Sequence, residues 1–149
     1  MRVRSFLKLV EIQTKVASMI PFILGSAFAF YRYKQFNTAN FIIMLISLLS
    51  FDMATTAINN YIDYKKANKT YGYGYEQHNA IVRDNLKETT VLAVIAILLA
   101  IAITFGILLY LNTSPLVLVA GVISFAVGIL YTFGPIPISR MPLGEIFSG

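Results

Sequence analysis

A chain of 149 residues that is 57% apolar, only 13% charged and has a mean hydropathy of +0.70 lies far from the balance of a soluble domain. The net charge of +5 is spread in short basic stretches flanking apolar segments rather than along one face, so nucleic acid is set aside and a lipid bilayer and anionic groups are the expected partners. The absence of cysteine excludes disulfides, thiolate metal ligands and cysteine nucleophiles, and a single His78 argues against a histidine-based zinc site.

The first apolar stretch, residues 16–31, follows a basic head with Arg2, Arg4 and Lys8, an arrangement that resembles a signal peptide. Ser26-Ala27-Phe28 is a weak cleavage site and further spans follow, so this stretch is read as a first membrane helix with Pro21 near its start. Three more spans are predicted at 40–61, 89–111 and 115–133. Each can cross a hydrocarbon core of about 30 Å at about 1.5 Å per residue. The expected fold is therefore all-α, an integral membrane helical bundle of about four transmembrane helices.

Orientation follows from the lysines and arginines near the helix ends. The head and the loop with Lys65, Lys66, Lys69, Arg83 and Lys87 are basic, whereas the loop after span one has only Arg32 and Lys34 and residues 112–114 have none. The N-terminus, the long loop and the segment with Arg140 are thus expected on the cytoplasmic side of the membrane. The loop at 64–88 contains Tyr71-Gly72-Tyr73-Gly74-Tyr75, which reads either as an interfacial aromatic anchor or as a flexible cap over a cytoplasmic site. His78 and Asp84 read as solvated loop residues.

Span two carries the chemistry. At about 100° per residue, Asp52, Thr56, Asn59 and Asp63 fall within roughly 60° of one another, with Asn60 bordering Asp63. An ionised Asp52 facing lipid would cost from about 2.5 kcal/mol upward at a helix centre, so this stripe must face protein, water or a cation. It is either a hydrogen-bonded seam between helices or a binding site. Carboxylate and amide oxygens one turn apart suit Mg²⁺, a hard ion that keeps waters and shares its sphere with phosphates. Glu11 and Lys15, four residues apart, could form an ordinary helical pair.

Asn59-Asn60-Tyr61-Ile62-Asp63 resembles the first aspartate-rich motif of the UbiA superfamily of intramembrane prenyltransferases, N-D-x-x-D-x-x-x-D. Asn60 stands where that motif has aspartate, and Ala67 where it often has a third. Residues 131–145, Tyr131-Thr132-Phe133-Gly134-Pro135 through Arg140 to Glu145, look like the stretch that closes the fourth helix of the family and opens the fifth. Residues 55–66 and 134–149 look most similar to the branch that prenylates 1,4-dihydroxy-2-naphthoate in menaquinone synthesis.

This resemblance implies the N-terminal half, residues 1–149, of a single nine-helix prenyltransferase domain, cut within the fifth helix and inactive without its C-terminal half. It implies Mg²⁺-dependent transfer of a polyprenyl group from a polyprenyl diphosphate to an aromatic acceptor. Asp63, Asn59 and Asn60 would be the catalytic metal ligands. Arg140 and Lys15 would hold the diphosphate, Asp52 would support the acceptor side, and Tyr131 would contact substrate. Each has a plainer reading: Lys15 snorkelling to headgroups, Arg140 as a basic anchor, Tyr131 as an interface aromatic. A different class also fits the stripe, namely a small transporter or channel subunit in which Asp52 and Asp63 line an ion path.

Overall fold

Backbone groups in a bilayer must find their hydrogen bonds within the chain, and the apolar runs accordingly fold as helices. A computed structural model describes residues 1–67 and 79–133, the side chains of 66–67 and 129–133 excepted. The order is α1 (Val3–Leu9), a 3₁₀ turn (Ile12–Thr14), α2 (Lys15–Tyr33), α3 (Thr38–Ala67), α4 (Ala80–Arg83), α5 (Glu88–Asn112) and α6 (Pro115–Phe133), with no strand among the described residues. Local signals set the ends. Lys34 takes a left-handed conformation and returns its N–H to the Phe30 carbonyl, closing α2, and the Asn37 side chain accepts from the Asn40 N–H at 3.0 Å as α3 begins. Asn79 caps α4 by accepting from the Ile81 N–H at 2.9 Å, and Pro115 opens α6, where its missing N–H costs no hydrogen bond.

Among the described residues three segments, Ile12–Tyr33, Thr38–Lys65 and Glu88–Asn112, are long and apolar enough to cross a bilayer. The fourth expected span forms α6, of which the part described with side chains, Pro115–Gly128, is a shorter apolar helix. The start of a fifth helix and the tyrosine–glycine segment lie outside the described residues.

The long helix α3 stands at the centre, touched on three sides. Antiparallel α5 packs Val91 and Ile95 beside Ala57, and Leu98 beside Ala54, while Ser47 donates to the Ala102 carbonyl at 2.9 Å. Both alanines are fully buried, because small residues let membrane helices approach closely where no hydrophobic effect drives them together. On a second side α6 runs parallel to α3, with Phe125 stacked on Phe51 at 4.7 Å between centroids. Gly128 lies against the same ring, so an added Cβ would come within 2.7 Å of it. On the third side α2 runs antiparallel, joined by Phe22 and Phe41.

One end of the bundle is covered by α1 and α4. Leu9, Val10 and Ile81 are the most buried large side chains there, and Tyr61 and Lys65 of α3 both reach Glu88 at the start of α5, each at 2.5 Å. Part of the segment expected as an open loop is therefore packed structure. Asp84 in particular is not solvated: the Ser5 hydroxyl donates to it, Lys8 Nζ lies 3.5 Å away, and its side chain is only 16% exposed. These partners come from the other end of the sequence, which is why no local pattern announced them.

The Ser5 hydrogen bond, and after it the Lys8 charge, hold the Asp84 carboxyl below its ordinary value of 3.8 against the opposing effect of burial. Stabilisation from this ionised group is fully present above that value and is lost as pH falls through the lowered one. Asp84→Asn is expected to melt below the parent at pH 6, with the gap closing as pH is taken below 3.8. Circular-dichroism melts of detergent-solubilised protein check this, and a gap independent of pH would contradict it.

Candidate functional site

The polar stripe of α3 is turned toward protein, and it divides between two neighbours. Asp52, Thr56 and Asn60, spaced by four, form the row that meets α2 and α1. Lys15, the first residue of α2, donates to Asp52 Oδ1 at 2.7 Å, to the Asp52 carbonyl at 3.2 Å and to Thr56 Oγ1 at 2.6 Å. Ser18, one turn along α2, donates to Asp52 Oδ2 at 2.5 Å. Thr56 in turn donates to the Asp52 carbonyl at 3.0 Å. The three protons of the ammonium and both oxygens of the carboxylate are thus engaged within the chain.

This geometry decides between the plainer readings of Lys15. Its side chain is 5% exposed, so it does not snorkel to headgroups. Nor does it pair with Glu11, which adopts a left-handed conformation (φ 48°) at the junction of α1 and the 3₁₀ turn and so lies outside the helix that such a pair requires.

Further along the row, the Asn60 side-chain amide donates to the Leu9 carbonyl at 2.9 Å and to Glu11 Oε1 at 3.3 Å, and the Asn60 backbone carbonyl accepts from the Asn79 side chain at 2.7 Å. Position 60 thus ties together α3, the end of α1 and the start of α4. By helical register Asn59 lies between the directions of Asp52 and of Thr55, toward the side between α2 and α6, whereas Asp63 lies between Asp52 and Thr56, within the row that meets α2. Both are half-buried. Of the remaining candidates, Tyr131 belongs to α6 with its side chain outside the described residues, and Arg140 lies outside them altogether.

Among the described residues no group of three or more histidine, cysteine, aspartate or glutamate side chains gathers around a point. The donors near Asp63 are one carboxylate and neighbouring amides. Such a set does not form an all-protein cage, but it suits an ion that keeps most of its water and takes further oxygens from a phosphate.

Sequence reasoning passed over Ser18 and Asn79, and read Glu11 only as a partner of Lys15. Ser18 had a usable signal, since it lies three positions after Lys15 on the same helical face. Glu11 and Asn79 meet Asn60 across 49 and 19 residues and had none.

Removing the lysine alone would strand a buried carboxylate. Lys15→Met is expected to destabilise the bundle by on the order of 3 kcal/mol, and Lys15→Met combined with Asp52→Leu to regain most of that loss. Thermal melts in detergent measure both variants; a single variant as stable as the parent would show that the pair does not hold α2 to α3.

With this geometry in place, comparison with known proteins is informative. Residues 18–149 match the model of the UbiA prenyltransferase family. The chain is 36% identical over 139 residues to a Bacillus subtilis (strain 168) protein described as 1,4-dihydroxy-2-naphthoate octaprenyltransferase, an alignment that covers 91% of this chain and 43% of that relative. The chain therefore spans less than half the length of the curated relative it matches. No solved structure matches. An all-helical chain with three bilayer-length helices, an inward polar stripe and a family match over residues 18–149 is a multi-pass membrane protein that belongs to the UbiA prenyltransferase family.

Proposed function

We propose that this chain is the N-terminal half of an enzyme that transfers a polyprenyl group from a polyprenyl diphosphate to an aromatic acceptor. The acceptor is 1,4-dihydroxy-2-naphthoate, as in the name of the Bacillus relative, and the product enters menaquinone synthesis. The observation that carries this reading is the inward, protein-facing polar row of α3 in a chain of this family. The basic flanks support an orientation with the N-terminus, α1 and the Asn60 end of the bundle on the cytoplasmic side of the cell membrane.

In the reaction the bond between the prenyl C1 and the diphosphate oxygen breaks, negative charge grows on the leaving group, and the allylic cation is captured by a ring carbon of the acceptor, which then releases a proton. Asp63, with Asn59 and Asn60, would hold Mg²⁺, which would supply neutralisation of the diphosphate charge. Around it the chain's own residues orient the substrates. Arg140 grips the diphosphate, and Tyr131 lies along the same helix as the aromatic wall of α6. Positive charge fixed beforehand where negative charge develops favours the transition state over the ground state.

Asp52 and Lys15 act one step back, joining α2 to α3 so that the floor of the site keeps its shape. A direct grip of Lys15 on diphosphate would require it to leave Asp52 and Thr56. The same closed set weakens the alternative of an ion path along α3, because an Asp52 already satisfied by lysine and serine offers a passing cation little.

Prenyl transfer by membranes containing the complete enzyme is expected to fall by at least about 100-fold in Asp63→Ala, together with loss of the Mg²⁺-dependent rise in melting temperature seen with a diphosphate analogue. The chain of 149 residues assayed by itself is expected to be silent, and to gain activity when the remainder is supplied. Activity of Asp63→Ala equal to that of the parent would remove the reading.

A further inference from the structure

We infer that the outer face of the cover formed by α1 and α4 is a docking surface for anionic phospholipid headgroups, so that this end of the bundle lies in the headgroup layer of the bilayer rather than under water. Such docking is a property beyond prenyl transfer and does not depend on which reaction the bundle serves.

Charge is segregated across the cover. Its acids are turned inward: Asp84 accepts from Ser5 and lies 3.5 Å from Lys8, Glu88 is bonded to Tyr61 and Lys65, and Glu11 accepts from Asn60. The charged residues that stay exposed in residues 1–14 and 79–88 are all basic, namely Arg2, Arg4, Arg83 and Lys87. Arg83 reaches Asp84 only at 3.8 Å, and Arg2, Arg4 and Lys87 enter no ion pair among the described residues. A face that carries cations, with its anions withdrawn into the packing, is complementary to a negatively charged surface.

Apolar side chains are interleaved with these cations. At about 100° per residue, Ser5 and Leu9 mark the buried side of α1, and Val3, Leu7 and Arg4 fall on the opposite side. Val3 is 75% exposed, and on α4 Val82 is 41% exposed beside Arg83. Under water this apolar surface would stay hydrated. At the boundary between headgroups and acyl chains it is buried, while the neighbouring guanidinium and ammonium groups stay level with the lipid phosphates.

The position of the cover fits the same depth. Only residues 10–14, which include the 3₁₀ turn, separate α1 from α2, and only residues 84–87 separate α4 from α5. Both short helices are thus held at the ends of segments long enough to cross the bilayer, at the level where hydrocarbon gives way to headgroups.

Hydrogen exchange of the complete protein in nanodiscs tests this, with bilayers of phosphatidylcholine alone or mixed with phosphatidylglycerol. Exchange in α1 and α4 is read against α5 as an internal reference for folding. Anionic lipid is expected to slow exchange in α1 and α4 by about fivefold or more and to leave α5 unchanged. Raised salt is expected to remove most of that slowing in the unsubstituted protein. Arg2→Gln combined with Arg4→Gln and Lys87→Gln is expected to abolish it, whereas Arg2→Lys with Arg4→Lys and Lys87→Arg, which keeps every charge, is expected to retain it. Equal exchange in the two bilayers overturns the inference, whether the cover then faces water or lies under another part of the protein. Slowing that persists in the glutamine variant or at high salt overturns it as well. So does slowing that inorganic pyrophosphate produces in phosphatidylcholine alone, because that marks a site for soluble phosphates.

Discussion

A carboxylate on the inner face of a bilayer-crossing helix must have its charge met by the protein, and here Lys15 meets Asp52. The pair sits where α2 begins and where the polar half of α3 begins, so a single contact sets how these helices cross. An isolated carboxylate or ammonium at this depth would be costly, and together, with Ser18 and Thr56 filling the remaining positions, they form a closed set. Everything nearer the Asn60 end depends on it. With α2 held at Lys15, the 3₁₀ turn and α1 must fold back over α3, which brings the Leu9 carbonyl and the Glu11 carboxylate to Asn60.

The other two sides of α3 work by a different physics. Lipid offers no hydrophobic drive between helices, so α5 and α6 are joined by close fit. Ala54 and Ala57 let α5 approach, and Gly128 lies under the Phe51 ring as it stacks on Phe125. The result is a division of labour around one helix. Two faces are apolar and serve packing, and the third is polar and joins α3 to α2 and α1 by hydrogen bonds and an ion pair. Asn59 stands at the border of that third face, toward α6, and Asp63 lies within it.

The end cover of α1 and α4 joins these levels. Asn79 caps α4 and also donates to the Asn60 carbonyl, so the capping residue of a four-residue helix is wired to the polar row. Ser5 and Lys8 hold Asp84, fixing α1 beside α4.

Much of this was legible in the residue pattern. The helical class, the bilayer-length runs and the inward turn of the α3 stripe follow from the cost of exposing polar groups to hydrocarbon, and that cost depends on composition and period alone. The motif around Asn59 and Asp63 was equally local, because side chains one turn apart on a helix are close in sequence. What only tertiary structure decided is which charges meet. Lys15 reads equally well as a headgroup anchor, a partner of Glu11 or a phosphate clamp, and its choice of Asp52 depends on how α2 crosses α3. Glu11 looks like an unremarkable acid of the N-terminal head until the left-handed turn places it 49 residues away against Asn60. Pairings of this kind are set by the geometry of helix crossings, to which hydropathy and period are blind, and so they wait for the folded chain.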